Sequence, residues 1–201
     1  SGRFCRPNSK VLEPRIAYHH PLLDEKFGID PQNEAVVLTD QEARELIEAY
    51  VRAAQTAQEV GFRFVDIKSC HGYLMHEFLS ARPRDGEFGG SFDARTRLLT
   101  MIIERVRHAC PDLMIGVRLS VFDTLPYRTS REIGQPMDAS RLLPYQLGFG
   151  MSEDDPLEYD LTEPFQLLEK LRSLGIVAVN LSCVSPYYNP HLMRPAIFPP
   201  S

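Results

Sequence analysis

Three times along this chain an amphipathic helix pattern is followed within a few residues by a short apolar run, and no other feature restricts the fold as tightly. "TDQEARELIEAYVRAAQTAQEVG" begins with Thr39 and Glu42 at capping-box spacing. Ala43, Leu46, Ile47, Tyr50, Ala54 and Ala57 then recur at helical intervals, and Gly61 ends the pattern. The apolar run Phe62 to Ile67 follows at once and predicts a strand. Ser91 opens a second helix, whose buried face is Leu98, Leu99, Ile102, Ile103 and Val106, and Pro111 separates it from the strand "LMIGVRLS". Thr162 and Pro164 open a third, with Leu167, Leu168, Leu171 and Leu174 facing inward, and Gly175 leads into the strand "IVAVNLS".

Such alternation means an α/β fold with a helix-covered parallel sheet, either doubly wound or part of a (β/α)8 TIM barrel. The polar residues favour the barrel. Lys68 and His71 follow the first strand, Arg118 and Ser120 end the second, and Asn180 and Ser182 end the third. Barrels draw their sites from the C-terminal ends of several strands, whereas doubly wound sheets concentrate theirs at one switch point. No GxGxxG or GxxxxGK[ST] follows any strand. A complete barrel needs about 250 residues, so the expectation is its central part. The opening "SGRFCRPNSK", and the polar, Pro-bearing sequence up to Thr39, read as a loop whose preceding strand is absent.

Composition narrows the partners. With 43% hydrophobic and 24% charged residues, the 201-residue chain suits a soluble protein with one core. A net charge of −5 with scattered Lys and Arg offers nothing to a nucleic-acid backbone or an anionic membrane, which leaves small molecules. No apolar run approaches the ~20 residues of a membrane helix, and the cytoplasm is the expected compartment. Cys5, Cys70, Cys110 and Cys183 form no CxxC pair, so reduced thiols and no metal site are expected.

The chemistry concentrates in "VDIKSCHGYLMHEFLSARPRDGEFGGSF", Val65 to Phe92. Lys68 and His71 can present two donors to one oxygen, the arrangement that stabilises an enolate or oxyanion. Tyr73 is placed to deliver or remove a proton, and Arg118 adds a fixed positive charge for an electron-rich ring or a carboxylate. Each has a plainer reading: Lys68 as a solvated strand-end lysine, His71 as a hydrogen-bonded loop histidine, Tyr73 as a packing residue, Arg118 as the partner of Asp66 or Asp123. Cys70 reads as a small buried filler and His76 as a packing residue of a short helix. Lys68 also admits a Schiff-base role in an aldolase-like lyase.

The run "HGYLMHEFLSARPRDGEFGGSFDARTRLL" resembles the signature of the old yellow enzyme family of flavin oxidoreductases. "SGRFCRP" resembles the family's sequence after the third barrel strand, "GVRLS" its fifth strand, and "VNLSCVSPYYNPHLMRPA" its sixth strand and following loop. The resemblance implies a segment running from after strand three through strand six and its loop, within a single FMN-binding TIM-barrel domain. It also implies FMN as cofactor, NADH or NADPH as reductant, and hydride transfer to an activated alkene. By the same resemblance His71 grips the substrate carbonyl, Tyr73 protonates the α-carbon and Arg118 contacts the flavin. Where the family usually has His, this chain has Lys68, a longer point charge, which points to a different acceptor or an anionic substrate. The alternative is an inactive truncated piece, whose open sheet edges invite association, including as a homo-oligomer. The long segment from Val121 to Asp160 sits where a substrate-covering lid would lie.

Overall fold

Two parallel strand pairings organise the chain, each strand delivered by the helix before it. The computed structural model describes residues 14–131 and 133–193. They form α1 (Pro21–Phe27), α2 (Asp40–Glu59), β1 (Phe64–Ser69), α3 (Leu74–Leu79), α4 (Phe92–Ala109) and β2 (Met114–Ser120). A short antiparallel pair follows, β3 (Tyr127–Arg128) and β4 (Gln135–Pro136), and then α5 (Thr162–Ser173), β5 (Ala178–Ser182) and α6 (Pro190–Met193). Cys5, the SGRFCRP motif and the chain after Met193 lie outside the described residues.

Local chemistry sets the boundaries. The Thr39 hydroxyl accepts from the Glu42 amide while the Glu42 carboxylate accepts from the Thr39 amide, so α2 starts on the expected capping box. Ser91 caps α4 by accepting from Ala94. Helices α2 and α5 end alike: Gly61 (φ +94°) and Gly175 (φ +69°) take left-handed backbone, and the next amide reaches back into the helix. Those bonds run from Phe62 to the Ala57 carbonyl at 2.9 Å and from Ile176 to the Leu171 carbonyl at 3.1 Å. Phe62 and Ile176 therefore close helices, and the strands begin at Phe64 and Ala178, later than the apolar runs suggest.

The sheet order is β1-β2-β5, all parallel. Its two faces differ. Ile67, Ile115, Val117 and Leu119 point into a core shared with Ala43, Ile47 and Val51 of α2, with Leu98, Leu99, Ile102 and Ile103 of α4, and with Leu167 and Leu171 of α5. The alternate residues face the other way, and at the strand starts this side is open: Phe64 is 40% exposed and Met114 48%. Right-handed crossovers that step in one direction along the sheet gather α2, α4 and α5 on one face.

Residues 14–38 correct the expectation of a loop up to Thr39. Pro21 at the first position and Gly28 (φ +66°) at the end delimit α1. Ile16 exchanges backbone hydrogen bonds with Val36 (3.0 Å) and Leu38 (2.9 Å), and Ile16, Ile29 and Val36 form a small core. The segment after β2 is also packed. Leu125, Met137, Ala139, Tyr145 and Met151 form one cluster with Leu22 of α1.

Candidate functional site

After Ser69 the chain passes through buried Cys70 and then turns sharply, with His71 at φ +64° and Gly72 at φ +69°. A non-glycine residue there carries backbone strain and persists only where its surroundings hold it. The His71 amide donates to Ser120 Oγ at the end of β2 (3.1 Å), and its ring Nε2 lies 2.7 Å from Ser182 Oγ at the end of β5. One residue thus ties together the C-terminal ends of three strands.

Tyr73 stands at the N-cap of α3. Lys68 Nζ lies 3.6 Å from the centroid of its ring, a cation–π contact. The Tyr73 hydroxyl hydrogen-bonds the hydroxyl of Tyr187, from the loop after β5, and the two rings meet edge to face at 5.7 Å. A cavity of about 290 Å³ opens beside them, lined by Lys68, Tyr73, Leu74 and Met75 and by Leu46 and Tyr50 of α2. Strand register places Lys68, Arg118 and Asn180 side by side. Arg118 Nε is 3.8 Å from Asp66 Oδ2, so Asp66 is the nearby carboxylate, while Asp123 is engaged elsewhere by Ser80 and Phe149. Beyond hydrogen-bond distance of Asp66, Arg118 Nε is buried with no hydrogen-bond partner among the described residues.

The electrostatics follow from this crowding. Burial lowers the His71 pKa below the ordinary imidazole value, and Lys68 and Arg118 push the same way. The ring is therefore neutral at pH 7 and can donate from one nitrogen without bringing another cation. Burial pushes the Cys70 thiol up to about 11, which outweighs the opposing pull of Lys68 and Arg118 and leaves an unreactive filler. Cys70, Cys110 and Cys183 are free thiols. Lys68 is exposed and lies over an aromatic face, not in the apolar enclosure that makes a Schiff-base lysine nucleophilic.

All four residues singled out by sequence, Lys68, His71, Tyr73 and Arg118, thus come together at the C-terminal ends of β1 and β2. Tyr187 escaped the sequence reading, and Ser182, expected there only as a polar strand-end residue, meets the His71 ring. Both are supplied from beyond α5, and only the register of β5 on β2 brings them near. Among the described residues no helix is long and apolar enough to cross a membrane.

Comparisons with known proteins show the family to which the chain belongs. Residues 17–138 match the model of a family described as NADH:flavin oxidoreductase / NADH oxidase. An NADH:flavin oxidoreductase of Gibberella zeae is 36% identical over 106 residues, covering 51% of this chain and 25% of the relative. An NADPH dehydrogenase of Clostridium acetobutylicum is 43% identical over 89 residues, 43% of this chain and 26% of the relative. A 12-oxophytodienoate reductase-like protein 1 of Arabidopsis thaliana is 32% identical over 155 residues, 71% of this chain and 46% of the relative. The chain thus spans between a quarter and a half of the length of these relatives. Among solved structures, morphinone reductase in complex with tetrahydroNAD aligns with a TM-score of 0.51 at 24% identity, over 72% of this chain and 33% of that one. That similarity speaks for the fold.

Proposed function

Because the chain belongs to the NADH:flavin oxidoreductase / NADH oxidase family, the old yellow enzyme family, we propose that it forms the central arc of a (β/α)8 barrel that reduces an activated alkene or a related acceptor. The family's cofactors are FMN and NADH or NADPH. In this reading the arc runs from after the third barrel strand through the sixth strand and its loop, as part of one domain. Its support is the one-way strand order, the helices gathered on a single face, and a site assembled from three strand ends. β1 and β5 are the outer strands of the described sheet, and association along those edges, with another copy or with other segments, belongs to the same proposal.

The observation that carries the functional reading is the row Lys68, Arg118 and Asn180, flanked by His71 and Tyr73. Arg118 fits a flavin by its chemistry: a permanent guanidinium whose buried Nε has no hydrogen-bond partner among the described residues suits an electron-rich ring that gains negative charge. Arg118 would hold that ring. FMN, when bound, supplies the redox chemistry. The chain's own residues bind and orient the acceptor. Neutral His71 and cationic Lys68 donate to its carbonyl oxygen, which stabilises the charge developing there. The Tyr73 hydroxyl delivers the proton to the carbon next to that carbonyl, with Tyr187 hydrogen-bonded to it. Lys68 in place of the family's usual histidine favours an acceptor bearing negative charge.

The test is a visible spectrum of the purified chain with and without added FMN, followed by NADH and NADPH oxidation with an α,β-unsaturated carbonyl compound. A protein-shifted flavin band and acceptor-dependent oxidation are expected, with turnover lost in Tyr73→Phe. A chain that neither shifts the flavin spectrum nor consumes NAD(P)H overturns the proposal.

A further inference from the structure

We propose that His76, braced by Asp123, is a positioning residue that holds the His71-Gly72-Tyr73 turn in shape; its catalytic meaning rests on the roles given above to His71 and Tyr73. The turn contains two successive left-handed residues. Such a conformation needs its amides held, and two buried side chains hold them. Ser120 Oγ takes the His71 amide at 3.1 Å, and His76 Nδ1 takes the Gly72 amide at 2.8 Å.

The second contact fixes the imidazole. A backbone amide can only donate, so Nδ1 carries no proton and the ring hydrogen is on Nε2. Nε2 lies 3.5 Å from Asp123 Oδ1, beyond a good hydrogen bond but close enough for the carboxylate to favour an N–H pointing at it. His76 is 2% exposed and Asp123 7%, so no bulk water screens the pair. Asp123 is itself anchored, because its other oxygen accepts from Ser80 Oγ and from the Phe149 amide, each at 3.1 Å. The chain of contacts therefore runs from the segment after β2, through Asp123 and His76, to the amide beside His71. His76 sits in the first turn of α3, its own amide donating to the Tyr73 carbonyl at 2.8 Å. A single side chain thus couples the helix start to the turn that presents both His71 and Tyr73.

The test compares His76→Leu, which removes the acceptor, with His76→Asn, whose side-chain oxygen can take the place of Nδ1. Three readouts are used: the ¹⁵N shifts of the His76 ring, hydrogen exchange of the Gly72 amide, and kcat and KM of the reductase assay. Expected are an unprotonated Nδ1 in the wild type and Gly72 exchange roughly tenfold faster in His76→Leu. A kcat lowered roughly tenfold to a hundredfold, with KM less affected, should accompany it, because a small misplacement of reacting groups is costly. His76→Asn should recover most of both effects. A protonated Nδ1, or Gly72 protection equal to wild type in a folded His76→Leu, overturns the proposal. If the wild type shows no turnover, the functional reading fails, while the ring shifts and Gly72 exchange still decide whether His76 holds the turn. If His76→Leu does not fold, His76→Asn and the wild-type ring shifts decide it; an Asn variant with lost Gly72 protection counts against the proposal.

Discussion

The two faces of the β1-β2-β5 sheet are made by the same strands, yet they obey different rules. On the helix-covered face the positions beneath the helices answer to packing: Ile67, Ile115, Val117 and Leu119 are at most 3% exposed, while Leu181 of the outer strand β5 is 59% exposed. On the opposite face Asp66, Lys68, Arg118 and Asn180 interleave with Phe64, Met114 and Ala178, and charge stands beside apolar surface. A face that only had to meet water would not need the apolar residues, and one that only had to pack would exclude the ions. The mixture is what the barrel and the flavin ring proposed above would cover.

The comparison breaks most sharply at two neighbours in β2. Ile115→Ala should cost about 2–5 kcal/mol, because the helices above it cannot collapse into the space it leaves. Met114→Ala, one residue away and 48% exposed, should stay within about 0.5 kcal/mol. Urea denaturation followed by circular dichroism measures both. Equal losses would mean that the second face is buried in solution, by another copy or by segments outside the described residues.

A smaller effect tests the open face by itself. A Cβ at Gly116 would lie 2.5 Å from Phe64 Cζ and 3.2 Å from the Ala178 carbonyl oxygen, so Gly116→Ala must displace the Phe64 ring. The ring is 40% exposed and can swing aside, so the loss should be near the low end of overpacking costs, about 1 kcal/mol. Phe64→Ala removes the obstacle, and the double variant should be more stable than the sum of the single losses predicts. Strict additivity would show that Phe64 does not rest on Gly116.

What could be read from sequence follows the same division. The covered face was legible because burial imposes a period, and the residues that cap α2 and α4 announce themselves locally. Both overlong strand readings share one cause: Phe62 and Ile176 are apolar, but their amides close the preceding helix. Residues 16–38 were misread because Ile16 finds its partners at Val36 and Leu38, a pairing without periodicity. At the site, Lys68, His71 and Tyr73 lie within one stretch and were visible together. Ser182 and Tyr187 became neighbours of that stretch only through a parallel register that no local pattern encodes.

The smallest effect concerns whether the open face acts as one electrostatic unit. His71 titrates below the ordinary imidazole value chiefly because it is partly buried, and secondarily because Lys68 and Arg118 repel its proton. The unfolded chain therefore takes up this proton first as the pH falls. Stability is indifferent to this group above the ordinary value, and it declines as the pH drops from that value through the lowered one. Lys68→Met removes one cation from the second cause and leaves the first. The His71 pKa, followed by NMR of its ring protons, should rise in that variant yet stay below the ordinary value, and the acid-side decline should narrow accordingly. A pKa that does not move would uncouple Lys68 from His71 and with it the idea that the two address one acceptor oxygen, whereas a rise all the way to the ordinary value would assign the depression to charge and leave burial no part in it.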